Sequence, residues 1–422
     1  MAIQAPKGTK DVLPQEAYKW HYIENLIRNK ADIYGYREIR TPVFEHTELF
    51  QRGVGETTDV VQKEMYTFLD KGERSITLKP EGTAGAVRAF VEHGLHNSAL
   101  PLKSYYFTPV FRYERPQAGR LREHHQFGVE VFGASEPSLD AEIIVFALDI
   151  IKSLGIEGLS VNINSIGCPH CRANYNKAVV EYMEGKKEQL CSTCRERLEK
   201  NPLRILDCKV PSCKEIVKDA PVILDYICPD CAKHMEMLQS LLEAAGIEYN
   251  VDPQIVRGLD YYVKTVFEII YTQPNGDKIT VCGGGRYDDL SKQISDISVT
   301  SAGFGMGLER LIMVMENSGV MPEADDICDV FIATMGNNAV CEGFKLLSKL
   351  RKDGVKAEIN HCNRSVKAQF KYADKVNAKL VVVIGDNEIQ NNTFSVRNMK
   401  NGEQVTQSGD LLIDSIKDLL NN

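Results

Sequence analysis

The side chains of this sequence that are best suited to chemistry lie between residues 105 and 132, in two predicted strands around a polar loop from about Tyr113 to Glu123. The second strand alternates in character, as a half-buried strand does. One face carries Phe127, Val129 and Val131, and the other carries Gln126, Gly128 and Glu130. A face with Gln and Glu around a Gly either meets water or lines a polar pocket.

Arginines are frequent in the same stretch: Arg112, Arg115, Arg120 and Arg122. Guanidinium forks match the geometry of phosphates and carboxylates, so an anion site beside the acceptors is one interpretation. Taken alone, the stretch fits a solvated hairpin equally well. The rest of the chain favours the pocket.

Glu81 and Thr83 follow a predicted strand at residues 75–80 and precede a predicted helix. Turns from strand to helix often carry functional side chains, although helix capping by Thr83 would explain the pattern as well.

Glycines recur at every second position from Gly303 to Gly307, which leaves one face of a predicted strand without side chains. Such a face predicts room for a planar ring lying on the sheet. Arg310 follows in the first turn of a predicted helix, where positive charge attracts phosphate, although a tightly packed turn is the alternative. An Asn-Gly pair at 275–276 predicts a hairpin turn, after which Gly283–Gly285 form a second glycine run.

Eight of the 12 cysteines fall between residues 168 and 231, three times as C-x2-C and once as C-x4-C. They are Cys168, Cys171, Cys191, Cys194, Cys208, Cys213, Cys228 and Cys231. Four thiolates complete a tetrahedral zinc site, so this segment could hold two zinc ions, one zinc ion with spare thiols, or free thiols only. The order of the cysteines does not decide which pairs combine. A site formed by the two outer pairs would link the two ends of the segment, at its base.

The bulk properties are those of a multidomain globular protein. A chain of 422 residues predicts two or three domains, and 43% hydrophobic residues suffice for packed cores. We expect no membrane span and no signal peptide, and the many cysteines then indicate a reducing, cytoplasmic compartment. A net charge of −8 argues against general coating of nucleic acid but allows a local basic face. The phosphate-binding patterns GxGxxG and GxxxxGK[ST] are missing, so a nucleotide would bind without them.

The composition changes to Gly, Pro and acidic residues near 317–326, which predicts a linker. We therefore predict a first domain at residues 1–325, with a Cys-rich insertion at about 168–240, and a second domain at 326–422. The second domain alternates as βαβαβ, which is typical of a small α/β domain. Its lysines at 367, 371, 375 and 379 form a helical stripe that fits RNA phosphates or an ordinary solvated face. In the first domain, a helix to about residue 33 and an edge strand at 38–44 could serve a dimer interface or pack internally.

These segments together resemble the class II histidyl-tRNA synthetases over nearly the whole chain. Residues 111–115 resemble motif 2, residues 303–310 resemble motif 3, and residues 20–44 resemble motif 1, the dimerisation element. The histidine-specific stretches are matched by Arg-Gly-Leu-Asp-Tyr-Tyr at 257–262 and Gly-Gly-Arg-Tyr-Asp at 284–288. The resemblance implies an α+β catalytic domain with a six-stranded antiparallel sheet, an insertion, and a C-terminal α/β domain that binds the anticodon. It gives the cysteines no role.

The resemblance also implies a histidine–tRNA ligase reaction in two steps. The carboxylate of L-histidine attacks the α-phosphorus of ATP, and the 3′ ribose hydroxyl of tRNA(His) then takes the histidyl group. Arg112 and Arg257 would stabilise charge at the α-phosphate. ATP would be bound with Mg2+ by Arg112, Arg120 and Arg310. Histidine would be bound by Glu81, Thr83, Gln126, Glu130, Arg257, Tyr261, Tyr262 and Tyr287. A homodimer is implied as well.

A second function class is a non-catalytic paralogue of these synthetases, which acts as a regulatory subunit of histidine biosynthesis. Such a protein typically lacks the anticodon domain and can dispense with the arginines. This sequence has Arg112, Arg257, Arg310 and the C-terminal segment, which favour the ligase. A generic RNA-binding protein would leave the polar pocket residues unexplained.

Overall fold

The computed structural model describes residues 3–55, 58–116, 119–206, 208, 210–255, 257–324 and 328–421. The chain divides into two units, Met1–Pro322 and Glu323–Asn422. The predicted domain boundary, between residues 325 and 326, lies outside the described residues. Within the described ranges, no helix combines the length and the apolar character needed to cross a membrane.

The strands of the first unit are β1 (Arg37–Glu38), β2 (Phe44–His46), β3 (Tyr66–Leu69), β4 (Ser75–Leu78), β5 (Leu102–Phe111), β6 (Glu123–Phe132), β7 (Leu159–Ser165), β8 (Asn250–Val251), β9 (Val263–Thr272), β10 (Lys278–Arg286) and β11 (Ser301–Gly307). Its α-helices are α1 (Ala17–Ile33), α2 (Thr47–Val54), α3 (Thr83–Glu92), α4 (Pro137–Ser153), α5 (Pro169–Glu184), α6 (Ser192–Lys200), α7 (Pro211–Lys218), α8 (Pro229–Ala244), α9 (Leu290–Ile294) and α10 (Leu308–Asn317).

An eight-stranded sheet in the order β1-β5-β6-β11-β10-β9-β7-β8 organises the first unit. Its six central strands are antiparallel to their neighbours, while the two-residue strands β1 and β8 pair in parallel at the edges. The six-stranded antiparallel sheet is therefore confirmed, with a short strand added at each edge. The turn predicted at Asn275–Gly276 joins β9 to β10, and Gly276 has a φ of 88°.

The edge strand predicted at residues 38–44 is wrong in its extent. β1 ends at Glu38, β2 begins at Phe44, and the residues between them are not in a strand. Pro42 lies in this gap and has no N–H to give to a ladder. β2 instead joins a separate three-stranded sheet in the order β2-β4-β3.

The hydrophobic core lies on one face of the large sheet, beneath α1, α4, α8 and α10. Phe127, Val129 and Val131 of β6 are fully buried there, as the alternation predicts. Each such side chain contributes about 1.5–3 kcal/mol of hydrophobic stabilisation, which fixes the register of β6. Gln126 and Glu130 must then point to the opposite face.

The Cys-rich insertion consists of α5 to α8 with short helical turns between them. Its core is small and contains Val179, Met183, Leu198 and Ile216 together with three buried cysteines, Cys194, Cys208 and Cys213. A core of this size is marginal by itself.

The second unit contains β12 (Val330–Thr334), α11 (Asn337–Lys352), β13 (Ala357–Ile359), α12 (Val366–Lys375), β14 (Leu380–Ile384), α13 (Asp386–Asn391), β15 (Thr393–Asn398), β16 (Gln404–Ser408) and α14 (Leu412–Asn421). The sheet order is β13-β12-β14-β15-β16, and its first three strands are parallel, which confirms the βαβαβ prediction. Lys367, Lys371 and Lys375 are exposed on α12. Lys379 lies beyond that helix and pairs with Asp329 at 3.0 Å, so the helical stripe has three lysines and not four.

Candidate active site and cysteine clusters

Glycines on the polar face of the sheet make room for the protein's own side chains. A Cβ on Gly303 would collide with Glu130 and Tyr287, and one on Gly305 would collide with Gln126. The expectation of a bare strand face is therefore wrong at Gly303 and Gly305, while binding of a planar ring to this part of the sheet stays a prediction. The glycines let polar side chains from neighbouring elements lie flat on the sheet.

Glu130 lies at the centre of this polar face and is 1% exposed. Its carboxylate accepts hydrogen bonds from the hydroxyls of Thr83 and Tyr106, both at 2.8 Å, and from the hydroxyl of Tyr287. Burial raises the pKa of Glu130 well above its ordinary value, although the bonds from Thr83 and Tyr106 favour the charged form. A buried carboxyl of this kind gains most from a partner that brings a proton or positive charge.

Glu81 holds the start of α3. Its carboxylate accepts the backbone N–H groups of Thr83 at 2.7 Å and Ala84 at 2.8 Å. Burial raises the pKa of Glu81, and these two amide bonds oppose the rise. The side chain of Thr83 turns to Glu130 and makes no capping bond, so the capping alternative for Thr83 is wrong and Glu81 carries that role. Gln126 completes the turn by accepting the N–H of Gly82 at 3.1 Å.

Three buried tyrosines pack together beside Glu130: Tyr261, Tyr262 and Tyr287. Their ring centroids lie 4.6 Å apart for Tyr261 and Tyr262, and 5.4 Å and 6.2 Å from Tyr287. Burial raises the pKa of Tyr261 and of Tyr262, so both keep their hydroxyl protons at neutral pH. Tyr106, which sequence reasoning missed, fills the space where Gly82 and Gly128 have no Cβ.

Arg257 crosses the sheet above Gly283, where a Cβ would collide with its guanidinium. Its Nη1 donates to Glu268 Oε1 at 2.7 Å, and its guanidinium carbon lies 5.6 Å from the centroid of the Tyr262 ring. Sequence reasoning missed Glu268. The feature that could have identified Glu268 is its position in β9, where it pairs with Gly283 of β10.

A second polar group of this face consists of three arginines around one carboxylate. Arg120 lies 3.2 Å and Arg112 lies 3.9 Å from Glu114, and Arg310 donates to the Thr280 carbonyl at 2.6 Å. Burial lowers the pKa of Arg310, and the positive charges of Arg120 and Arg112 lower it further. Glu64 interacts with the charges of Arg112, Arg120 and Glu114, so the group holds three positive and two negative charges. The net positive charge favours the binding of an anion.

His124 belongs to the arginine group and was missed from the sequence. Burial and the charges of Arg112 and Arg310 lower its pKa to about 3, so the ring is neutral at physiological pH. Its Nδ1 is buried and has no partner among the described residues. The signal was its spacing in β6, two residues before Gln126 and therefore on the same face.

Two of the predicted arginines have other surroundings. Arg115 is exposed on the loop. Arg122 stacks its guanidinium 3.8 Å from the centroid of the Tyr113 ring and donates to the Glu114 carbonyl at 3.3 Å. Arg122 therefore holds the loop in shape.

Arg286 supports the sheet from inside the protein. It is fully buried and pairs with Asp140 of α4 at 3.1 Å. Asp140 in turn lies 2.6 Å from Nε2 of His234, which belongs to α8 of the insertion. This chain of buried polar groups joins β10, α4 and α8.

The eight cysteines of the insertion form two separate clusters, each with all four sulfur atoms within 4.8 Å of one another. The base cluster contains Cys168, Cys171, Cys228 and Cys231. The inner cluster contains Cys191, Cys194, Cys208 and Cys213. This is the arrangement in which the two outer pairs combine, which the sequence had left open.

The spacing of the sulfur atoms fits tetrahedral zinc. Sulfurs 2.3 Å from a central zinc ion lie about 3.8 Å from one another. The observed separations are 3.5 Å for Cys168 and Cys171, and 3.9 Å for Cys171 and Cys231. In the inner cluster, Cys191 and Cys208 are 3.9 Å apart. Backbone N–H groups point at one sulfur in each cluster, from Cys228 to Cys171 at 3.1 Å and from Cys191 to Cys213 at 3.3 Å.

Comparisons with known proteins agree with this geometry. Residues 8–311 match the family model for histidyl-tRNA synthetase, and residues 329–419 match a model for an anticodon binding domain. A histidine–tRNA ligase of Clostridium novyi is 60% identical over 409 residues, which cover 97% of each chain. One from Caldanaerobacter subterraneus is 54% identical over 422 residues, with full coverage of both. The apo structure of the Staphylococcus aureus histidyl-tRNA synthetase superposes with a TM-score of 0.84 at 40% identity, covering 99% of this chain and 100% of that one.

Proposed function

We propose that this chain, which belongs to the histidyl-tRNA synthetase family, is a histidine–tRNA ligase that uses ATP to attach L-histidine to tRNA(His). One observation carries the proposal. Two buried carboxyl groups, those of Glu81 and Glu130, lie beside three tyrosines, and Glu81 interacts with the charge of Arg112 in the group of three arginines. The alternative of a regulatory paralogue is disfavoured, because relatives that are 54–60% identical over nearly the full chain are histidine–tRNA ligases.

Recognition of histidine follows from the chemistry of the pocket. The imidazole ring offers an N–H donor, which Glu130 would accept, and the hydroxyls of Tyr261 and Tyr262 would bond the other ring nitrogen. Glu81, Thr83, Gln126 and Tyr287 would surround the rest of the amino acid. A site that hydrogen-bonds both ring nitrogens rejects analogues without them far better than an apolar pocket could.

Activation of histidine would take place between Arg257 and the three-arginine group. A carboxylate oxygen of histidine attacks the α-phosphorus of ATP, a new P–O bond forms, and pyrophosphate leaves with the electron pair of the broken bond. Arg257 and Arg112 would stabilise charge at the α-phosphate, and Arg120 and Arg310 would hold the outer phosphates. In the second step the ribose oxygen of tRNA bonds to the histidyl carbonyl carbon, and AMP departs.

Two carboxylates fit a role as Mg2+ ligands in this region. Burial raises the pKa of Glu64, and the negative charge of Glu114 raises it further. Two like charges this close favour a divalent cation, which prefers carboxylate and phosphate oxygens. Mg2+ bound there would neutralise charge on the outer phosphates of ATP.

Histidylation of purified tRNA(His) tests the proposed function. With ATP and Mg2+, we expect the protein to attach radiolabelled histidine to tRNA(His). Other amino acids should be attached at least about 10⁴-fold more slowly, as expected of a site that bonds polar groups of its substrate. If no histidine is attached by intact, folded protein, the ligase proposal is wrong.

The second unit would bind the anticodon. The lysines exposed on α12 support contact with RNA phosphates. Deleting residues 326–422 should leave some adenylate formation and cripple histidylation of tRNA, since every proposed adenylation residue precedes the deletion. Histidylation at the intact rate would contradict the assignment. The oligomeric state of the truncated protein must be measured alongside, because dimer loss would also lower the rate.

A homodimer is supported by the three-stranded sheet. Phe44 of β2 and Phe68 of β3 flank β4 on one sheet face and are 56% and 47% exposed. Exposed aromatic side chains on one face are typical of protein interfaces. A second copy of this chain is the proposed occupant. Phe44→Glu should convert the dimer to monomer in analytical ultracentrifugation, and a wild-type protein that is monomeric at micromolar concentration would contradict the proposal.

Zinc in both cysteine clusters is the last part of the proposal. The four-sulfur geometry of each cluster supports zinc binding. The core of the insertion is small, so bound zinc would contribute to its folding stability. We propose a cytoplasmic location, where thiols stay reduced. Metal analysis of protein purified without a chelator should find two zinc ions per chain. Zinc below stoichiometry after growth in zinc-supplemented medium, with all eight thiols rapidly titrated in the native state, would reject the sites.

A further inference from the structure

Lys79 is a buried lysine that the reaction proposed above does not use. It follows β4 directly and precedes the turn at residues 80–83, which carries Glu81 and Thr83. The side chain is 1% exposed, and its Nζ donates to the carbonyl of Thr41 at 3.3 Å and to the hydroxyl of Thr41 at 3.2 Å. Both acceptors are neutral, although a buried ammonium is usually paired with a carboxylate.

The backbone around Lys79 connects the segment 41–45, which leads into β2, with the end of β5. The N–H of Lys79 donates to the carbonyl of Val43 at 2.9 Å, and the carbonyl of Lys79 accepts the N–H of the last residue of β5 at 2.9 Å. The next carbonyl, that of Pro80, accepts Nε of Arg112 at 2.8 Å. The position of Lys79 therefore affects Arg112 as well as the turn that follows.

The other side of the turn contacts the same segment. Arg88 of α3 donates to Glu45 of β2 at 2.5 Å. A Cβ on Gly85 of α3 would lie 3.2 Å from Oγ1 of Thr41, so the helix packs closely against this residue. The segment therefore holds the turn on both sides, through the ammonium before it and through α3 after it.

The ammonium of Lys79 lies among other charged groups. Glu45, Glu81 and Arg88 face it from β2, from the turn and from α3. Burial lowers the pKa of Lys79 to about 8, the two acidic side chains oppose the shift, and Arg88 adds to it. A buried group whose pKa is displaced toward the working pH is typical of functional sites.

We propose that Lys79 is a positioning residue for the activation of histidine, whose charged ammonium keeps Glu81 and Arg112 in their reactive places. It would act through the turn and through the Pro80 carbonyl, without touching a substrate. The inference rests on the proposed ligase function, in which Glu81 lies beside histidine and Arg112 stabilises charge at the α-phosphate. A neutral Lys79 can still donate to Thr41, but it no longer attracts the two acidic side chains, so the turn is held less firmly.

The test compares Lys79→Met, which keeps the aliphatic stem and removes the charge, with Lys79→Arg, which stays charged at every pH used. Histidine-dependent pyrophosphate exchange is measured at saturating substrates from about pH 7 to about pH 9.5. The rate is expressed per active site, counted by the burst of adenylate formation, so that unfolded protein does not lower it. Lys79→Met should be about tenfold slower than wild type, because misplaced reacting groups lose rate. The KM for histidine should change by less than about threefold, because Glu130 is held by the large sheet.

The pH profile separates positioning by charge from a merely structural role. The wild-type rate should fall as pH rises through the pKa of Lys79, which is about 8. Lys79→Arg should work at a rate close to that of wild type at neutral pH and keep this rate above pH 8, because a guanidinium does not lose its proton there. Lys79→Met should be slow at every pH and lack the fall.

Lys71→Met is the matched control, because Lys71 is exposed in the turn between β3 and β4. It should keep the wild-type rate and the wild-type profile. Should one Lys79 variant fail to fold, the profile of the other decides. A wild-type rate that stays constant through this pH range, or the same fall in wild type and in a Lys79 variant, overturns this inference. A wild type that forms no adenylate at all would instead overturn the proposed function.

Discussion

The candidate histidine site around Glu130 and the cysteine insertion hold their polar groups by different physical means. Glu130 of β6 is held between two paired strands whose other face is a large apolar core. The insertion has a small core, no described strand between residues 169 and 244, and two clusters of four thiols. The polar groups beside Glu130 are therefore held by the sheet, whereas zinc bound to the thiols, as proposed above, would hold the insertion.

The two regions meet at a few contacts. Arg172 of α5 donates to the Asp260 carbonyl at 3.4 Å, and Arg204 donates to the Gly258 carbonyl at 2.9 Å. Both acceptors lie in the loop that carries Arg257 and Tyr261. The comparison teaches that a segment outside the large sheet can contact the loop that carries the proposed catalytic Arg257.

The largest effect is expected for Arg257→Ala, which removes the charge that crosses the sheet above Gly283. Adenylate formation should fall by about 10²-fold or more, since a group that stabilises developing charge is lost. Histidine binding should largely survive, because Glu130 and the tyrosines remain. Pyrophosphate exchange and equilibrium binding of histidine measure the two quantities. Arg351→Ala, an exposed arginine of the second unit, is the control. Near-normal exchange in Arg257→Ala would remove this residue from the mechanism.

A smaller effect is expected for Glu130→Gln, which keeps the shape of the pocket and removes its ionisable group. The KM for histidine should rise by about tenfold, because the neutral amide of Gln accepts a weaker hydrogen bond from the imidazole N–H than a carboxylate does. A KM within twofold of wild type would contradict the role of Glu130 as the imidazole acceptor.

The same variant tests the pKa of Glu130. Its pKa in the folded protein lies well above the ordinary value of 4.5, so between the two values the folded state holds a proton that the unfolded state has released. The free energy of unfolding contributed by Glu130 is therefore greatest below pH 4.5 and falls as pH rises through that window. Denaturation at several pH values should show that the stability of wild type relative to Glu130→Gln falls as pH rises above 4.5. Parallel profiles would contradict the raised pKa.

The smallest effects are expected in the insertion. Cys231→Ser in the base cluster and Cys213→Ser in the inner cluster should each reduce the zinc content from two ions to one per chain, as two separate four-thiol clusters require. The base cluster follows directly after β7 and adjoins Arg172, so its loss should slow exchange by roughly threefold. Loss of the inner cluster should leave exchange near the wild-type rate. Cys362→Ser, which changes an exposed cysteine outside both clusters, is the control. If Cys231→Ser and Cys213→Ser slowed pyrophosphate exchange equally, the proposed functional difference between the base cluster and the inner cluster would be wrong.

Much of this arrangement was readable from local pattern. The period-two alternation of β6 predicted which side chains face the pocket, and the C-x2-C spacing predicted thiol pairs at turns. The polar-pocket interpretation of residues 105–132 depended on the same alternation, and the burial of Glu130 agrees with it. Each of these features is encoded within a few neighbouring residues.

The remainder depends on partners far apart in the chain. Asp140 and Arg286 are 146 residues apart in sequence, and His234 joins them from the insertion. Nothing local in β10 shows that Arg286 is fully buried. The glycines of β11 were identified, but their purpose was not, because the side chains that use the space come from Glu130, Tyr287 and Gln126. The burial of Arg286 and the use of the space beside the glycines are therefore set by packing between residues far apart in the sequence.

Histidine-dependent exchange of pyrophosphate into ATP, without tRNA, tests the central claim most directly. It requires the polar pocket and the three-arginine group to act together in one reaction, and it separates an enzyme from a regulatory subunit. We predict exchange that depends on L-histidine and Mg2+, that is not supported by other amino acids, and that is lost in Arg257→Ala. Absence of exchange in folded wild-type protein with both substrates present, or exchange independent of histidine, would contradict the account.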